Sequence, residues 1–168
     1  AQIGYDDVIN PLWEKAVLSA NIDLPFETSF YEEEWNRIAI AQEALTLEKY
    51  VRAIRNGRGT RLDRKKRMQV WKVFENYQNL MKENQIRDIN TAMYESTKLL
   101  QSVSRKPRYA SIIIDEGQDF SDNAYRLIRA LAGEEHPNDI FIVGDSHQRK
   151  YRNHPTLSKC GINVRGRS

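Results

Sequence analysis

Asp115 and Glu116 stand side by side, followed by Asp119, directly after the run Ile112-Ile113-Ile114. Adjacent carboxylates can divide the work of nucleotide hydrolysis. One can hold magnesium, directly or through water, and the other can orient or deprotonate an attacking water. Such groups belong at the carboxyl end of a strand, where open α/β sheets bind ligands. The isoleucine run supplies that strand. An unbroken apolar run predicts burial on both faces.

The stretch Asp139-Ile-Phe-Ile-Val-Gly-Asp145 repeats the pattern, an apolar run ending in Gly144 and Asp145. Between the two runs, residues 121–132 predict a helix. Ser121 can cap it, Leu127, Ile128 and Leu131 form an apolar stripe, and Gly133 can end it. Strand, helix and strand over about 30 residues make a βαβ unit, with parallel strands and a right-handed crossover. Both acidic ends then fall on one edge of the sheet. The loop beyond the second run carries Gln148, which could reach a terminal phosphate or the attacking water. Arg149, Lys150 and Arg152 could meet phosphates there, and Tyr151 could stack on a base.

Upstream the spacing is helical. Residues 5–19 carry Val8, Ile9, Leu12, Trp13, Ala16 and Val17 at three- and four-residue intervals, with Pro11 near the first turn or at a break. Ser29 and Glu32 have capping-box spacing ahead of Trp35, Ile38 and Ala39. Thr46 can cap a helix bearing Leu47, Tyr50, Val51 and Ile54. Asp63 can cap a long helix whose apolar face is Val70, Trp71, Phe74, Tyr77, Leu80 and Met81, aromatics placed for a core. Residues 88–103 predict another helix, with Ile89, Ala92, Met93, Leu99, Leu100 and Val103 inward. Arg105-Lys-Pro-Arg108 reads as a linker. The expected division is a helical accessory region over residues 1–105 and a partial α/β region over 106–168.

The chain has 168 residues and a net charge of +3, enough for one ordinary core or two small lobes. The lone Cys160 excludes an internal disulfide, which fits a reducing compartment. No signal region or long apolar span is visible, so a cytoplasmic, non-membrane protein is expected. The basic residues are unevenly spread: Arg52, Arg55, Arg58, Arg61, Arg64, Lys65, Lys66 and Arg67 crowd one segment, opposed only by Asp63. Such a cluster can neutralise phosphates, or it can be a solvated helix face. Gly57 and Gly59 inside it could let backbone amides approach a phosphate, or make a turn.

Together these residues resemble the UvrD/Rep-like superfamily 1 DNA helicases. Asp115-Glu-Gly-Gln-Asp-Phe120 is similar to that family's motif II, the Walker B box. Gly144-Asp-Ser-His-Gln148, with Tyr151, is similar to its motif III. Trp35, Arg55-Asn-Gly-Arg-Gly59, and Arg67 through Trp71 and Phe74 are similar to the helical insertion called subdomain 1B. The resemblance implies an α/β fold, a fragment of a P-loop NTPase-type parallel sheet behind an all-helical subdomain. It implies ATP and magnesium as cofactors, with Asp115 binding the metal and nucleotide, Glu116 the catalytic base, and Gln148 contacting the γ-phosphate. Tyr151 matches an aromatic on the single-strand track, although Asn153 stands where many members carry a stacking tryptophan. Arg152, Arg58, Arg61, Lys65 and Lys66 are the further nucleic-acid-binding candidates.

The implied activity is ATP-dependent translocation on single-stranded DNA with duplex unwinding, in DNA repair or recombination, in a bacterial-type, nucleoid-associated cytoplasmic protein. The implied partners are single- and double-stranded DNA and the remaining helicase domains of a parent chain. No Gly-x-x-x-x-Gly-Lys-Ser/Thr phosphate loop occurs in the sequence, and the family's arginine-bearing motifs are missing too. The chain is therefore expected to be an internal piece of a larger motor, inactive alone. Two other readings stand beside this one: a nucleic-acid-binding module without catalysis, and a metal-dependent nuclease using Asp115, Glu116 and Asp145.

Overall fold

The computed structural model describes residues 1–104, 109–144 and 157–163. The chain divides into two compact units, Ala1–Ala92 and Met93–Ser168.

The first unit is built on α1 (Asp6–Ala20), α2 (Thr28–Glu34), a π-helical turn (Trp35–Ile40), α3 (Leu47–Arg52) and α4 (Arg64–Glu83). α4 carries the widest apolar face and buries Val70, Trp71, Val73, Phe74, Tyr77, Leu80 and Met81. The aromatics of its face are core. Trp13 of α1 stacks on Tyr77, with ring centroids 3.6 Å apart. Trp35 and Tyr50 each meet Phe74 edge-on at 5.1 Å, the geometry that ring quadrupoles favour. Thr46 caps α3 by accepting from the Lys49 N–H at 3.4 Å. Asp63 caps α4 through the Lys66 N–H at 2.8 Å.

Three local expectations are corrected here. Pro11 lies inside α1, in its second turn, without breaking it. The capping box at Ser29 does not form: α2 starts at Thr28 and its flanking Glu27 makes no side-chain cap. The unit is not wholly helical, because β1 (Gln2–Ile3) pairs in parallel with β2 (Ile86–Arg87). Two-residue strands carry no readable alternation. Gly4 makes their approach possible, since a Cβ there would lie 2.7 Å from Ile86 Cγ2.

α5 (Ile89–Ser102) spans the boundary between the units. Asp88 caps it, accepting from the Thr91 N–H at 2.8 Å and from the Thr91 hydroxyl at 2.7 Å. Spacing puts Ile89, Leu99 and Val103 on its inward face, but all three are exposed, and Thr91 and Thr97 are buried instead.

In the second unit, β3 (Ile112–Ile114) pairs in parallel with β4 (Ile140–Ile142), Ile113 opposite Phe141. α6 (Asp122–Ala132) connects them. Ser121 caps it through the Ala124 N–H at 3.3 Å, and Gly133 ends it at φ 80°. The expected βαβ unit is present. The described residues are thus mixed, mainly helical with two small parallel sheets.

The expectation of a strand buried on both faces is corrected. Ile114 is buried, whereas Ile113 is 76% exposed and its partner Phe141 62%. Alternate side chains of a strand point to opposite faces. One face packs on Tyr125, Cys160 and Ile162, with Ile112, Phe120, Ile128, Ile140, Ile142 and Leu157 around them. The face of Ile113 and Phe141 is uncovered among the described residues.

Candidate nucleotide-hydrolysis and nucleic-acid sites

Asp115 and Glu116 leave the carboxyl end of β3, both exposed. Asp115 Oδ1 accepts the Glu116 N–H at 2.9 Å. Glu116 adopts a left-handed backbone, φ 52°, which costs an L-residue about 1–2 kcal/mol. The neighbouring peptides hold it there. The Gly117 N–H donates to Val143 O at 2.8 Å and the Asp119 N–H to Glu116 O at 2.9 Å. The Tyr125 hydroxyl donates to Gly117 O at 2.5 Å.

Gln118 lies across this turn. Its amide Nε2 donates to the Glu116 carboxylate. Its Oε1 is buried without a partner among the described residues. A Cβ on Gly144 would come within 2.3 Å of that oxygen and 3.1 Å of the Gly117 nitrogen. Gly144 is therefore a space requirement: it lets the end of β4 close against the turn that bears Glu116.

The parallel pairing of β3 and β4 places Asp115, Glu116 and Gly144 at one end of the sheet. Asp145, Gln148, Tyr151 and Arg152 lie outside the described residues. Among the described residues no group of three or more acidic, His or Cys side chains is gathered for a metal. Asp115 offers hard carboxylate oxygens on an exposed side chain, a donor that suits a magnesium ion retaining most of its water.

In the first unit the basic cluster separates into two kinds. Arg55, Arg58 and Arg67 are internal. Glu34 is fully buried and receives Arg55 Nε at 2.5 Å and Nη2 at 2.9 Å, Arg58 Nε at 2.9 Å and the Tyr50 hydroxyl at 3.0 Å. Arg58 also pairs with Glu33, donates to Phe30 O at 3.2 Å, and lies 5.1 Å from the Phe30 ring centroid. Arg67 donates to the carbonyls of Tyr50, Val51 and Ala53 at 3.1, 2.9 and 2.7 Å, closing the end of α3. Burial, followed by the neighbouring Glu34 charge, pushes the Tyr50 phenol far up, so it remains a donor.

The charge run makes Arg58 a candidate to meet phosphates. Its donors are instead taken by Glu33, Glu34 and a carbonyl, because a buried carboxylate must be paired. Gly57, at φ 77°, makes the turn between Arg55 and Arg58. Arg61, just ahead of α4, and Arg64, Lys65 and Lys66 in its first turn are exposed. None of the four enters an ion pair among the described residues.

Sequence reasoning does not single out Glu34 or Tyr125, yet a signal exists for each. Glu34 interrupts the apolar spacing Tyr31, Trp35, Ile38, and Tyr125 stands three residues before Ile128 on the stripe of α6.

Residues 15–154 match the family model described as UvrD/REP helicase N-terminal domain. No curated protein and no solved structure matches the chain. The family match covers most of the sequence and runs through both the Glu34 network and the Asp115–Glu116 turn, and on it the chain belongs to the UvrD/REP helicase family.

Proposed function

We propose that the chain is part of an ATP-dependent DNA helicase, in which ATP hydrolysis drives movement along single-stranded DNA and opens duplexes. The family match over residues 15–154 supports this reading, together with the parallel pairing of β3 and β4 that sets Asp115 and Glu116 at the end of the sheet. Asp115 would hold magnesium, which supplies positive charge against the phosphate oxygens when bound. Glu116 takes a proton from the attacking water. The water oxygen bonds to the γ-phosphorus, the bond to the bridging β–γ oxygen breaks, and ADP and phosphate leave. Gln148 would contact the γ-phosphate, and Tyr151 and Arg152 the single strand.

The domain assignment goes with this reading: residues 1–105 act as an accessory lobe of the 1B type, and residues 106–168 as part of the motor. The lobe meets DNA through Arg61, Arg64, Lys65 and Lys66, while Arg58 is held by Glu33 and Glu34. The sequence carries no phosphate loop, so the whole protein must supply one, and the 168-residue chain alone should not turn over ATP. We place the protein in DNA repair or recombination, associated with the nucleoid.

Glu116→Gln in the whole protein tests the assignment. ATP hydrolysis should be lost while ATP binding persists, and unchanged hydrolysis would sink it.

A second reading, a nucleic-acid-binding module, is favoured by the exposed cations Arg61, Arg64, Lys65 and Lys66. Salt-dependent DNA binding by the chain, untouched by Asp115→Ala, supports it, and the two readings are compatible.

A further inference from the structure

We propose that Tyr125 is a positioning residue for Glu116, its hydroxyl fixing the turn that aims the carboxylate. This rests on the hydrolysis reading above. Tyr125 is 2% exposed on α6, and its hydroxyl donates to Gly117 O at 2.5 Å. The Gly117 N–H donates the other way, to Val143 O at 2.8 Å. Gly117 is thereby held by α6 on one side and by the end of β4 on the other. The residue before it, Glu116, keeps φ 52°. Left-handed backbone at a non-glycine residue persists only where its surroundings over-determine it. The bonds that do so run through Gly117 and Asp119, among them the Phe120 N–H to Gly117 O at 3.2 Å, and Tyr125 contributes a side chain from another element.

Gly117 also leaves no room for a side chain between α6 and β4. A Cβ on it would lie 2.9 Å from the Tyr125 hydroxyl and 2.5 Å from Ile142 Cγ2. Burial raises the Tyr125 phenol, with Cys160 adding to the shift, so the hydroxyl stays a proton donor at neutral pH. A tyrosine present only for packing would be replaceable by phenylalanine, because the ring, tilted against Phe120 at 5.9 Å, would remain. A tyrosine that positions Glu116 would not.

Tyr125→Phe separates the two roles. In the whole protein it should lower kcat for ATP hydrolysis roughly ten-fold, the equivalent of one lost hydrogen bond, with KM for ATP changed less than about two-fold. In the 168-residue chain, the Gly117 and Phe120 amides should exchange hydrogen several-fold faster while those of α1 and α4 do not change. Unchanged kcat in a protein that Glu116→Gln inactivates overturns the positioning role alone. Unaltered exchange at Gly117 and Phe120 overturns it as well. Hydrolysis that survives Glu116→Gln overturns the reading of the site, and the role of Tyr125 falls with it.

Discussion

Arg55 grips Glu34 through two donors, Nε to Oε1 at 2.5 Å and Nη2 to Oε2 at 2.9 Å, with both side chains almost wholly withdrawn from water. The same carboxylate receives Arg58 and Tyr50. A carboxylate in this setting is stable only because its partners offset its lost hydration. Glu34→Ala should therefore lower the stability of the chain by about 3–5 kcal/mol, since it strands two buried guanidinium groups. Glu48→Ala, which removes a pair 78% and 74% exposed, should change it by less than about 1 kcal/mol. Urea denaturation of both variants checks the contrast, and equal effects would refute it.

Gly117 and Gly144 should differ in their tolerance of a methyl group. At Gly117 the added Cβ meets the β-branched Ile142 at 2.5 Å and has no flexible neighbour to displace. Gly117→Ala should destabilise by about 1–3 kcal/mol. At Gly144 the nearest atom is the end of the Gln118 side chain at 2.3 Å, which can swing aside, and the Gly117 and Gln118 backbone nitrogens at 3.1 and 3.2 Å need give only by a few tenths of an ångström. Gly144→Ala should cost less stability but release Gln118 from Glu116. Thermal melts of the two variants give the order, and a larger loss at Gly144 would contradict it.

The exposed and buried arginines should part company in DNA binding. Replacing Arg61, Lys65 and Lys66 together by Ala should weaken binding and reduce the slope of log K against log salt by up to about 2–3, roughly 0.9 for each phosphate no longer neutralised on duplex DNA. Folding should be unaffected. Arg58→Ala should instead lower stability, because it uncovers Glu34. Titrations at several salt concentrations, alongside melts, separate the two effects. A triple variant with an unchanged slope would remove these residues from the DNA surface.

Asp139 should contribute to acid sensitivity. Burial pushes its carboxyl up, but Arg129 Nη1 at 2.7 Å and the His136 N–H at 3.3 Å outweigh that and hold it below its ordinary value of 3.8. A carboxyl lowered by folding binds fewer protons in the folded state. Its stabilisation is present above the ordinary value and is lost as pH falls through that value toward the folded one. Asp139→Asn should flatten the acid limb of the stability curve below about pH 4 and leave its shape at neutral pH unchanged. An acid limb of the same steepness would exclude the role.

Much of the architecture was legible because it depends on neighbours in sequence. The caps at Thr46, Asp63 and Ser121 need only a side chain three residues from an amide. The core face of α4 follows from spacing along one helix. The parallel pairing of β3 and β4 follows from two apolar runs joined by a helix. The short pair β1–β2 was not legible, because two residues carry no period, and Ile113 misled because an apolar run does not tell how many faces are covered.

By itself the sequence determined that carboxylates follow a strand, that a helix returns the chain to a parallel neighbour, and that basic residues gather before α4. Which of those cations stay in water was decided only by tertiary structure. Arg55, Arg58 and Arg67 were drawn inward by a buried carboxylate and by open carbonyls contributed by other segments. The turn that presents Glu116 was likewise fixed from a distance, by a hydroxyl eight residues beyond Gly117 and a carbonyl at the end of β4. Composition and spacing record which groups are charged or polar. Their hydration, and so their availability to a ligand, depends on which distant atoms folding brings within a hydrogen bond of them.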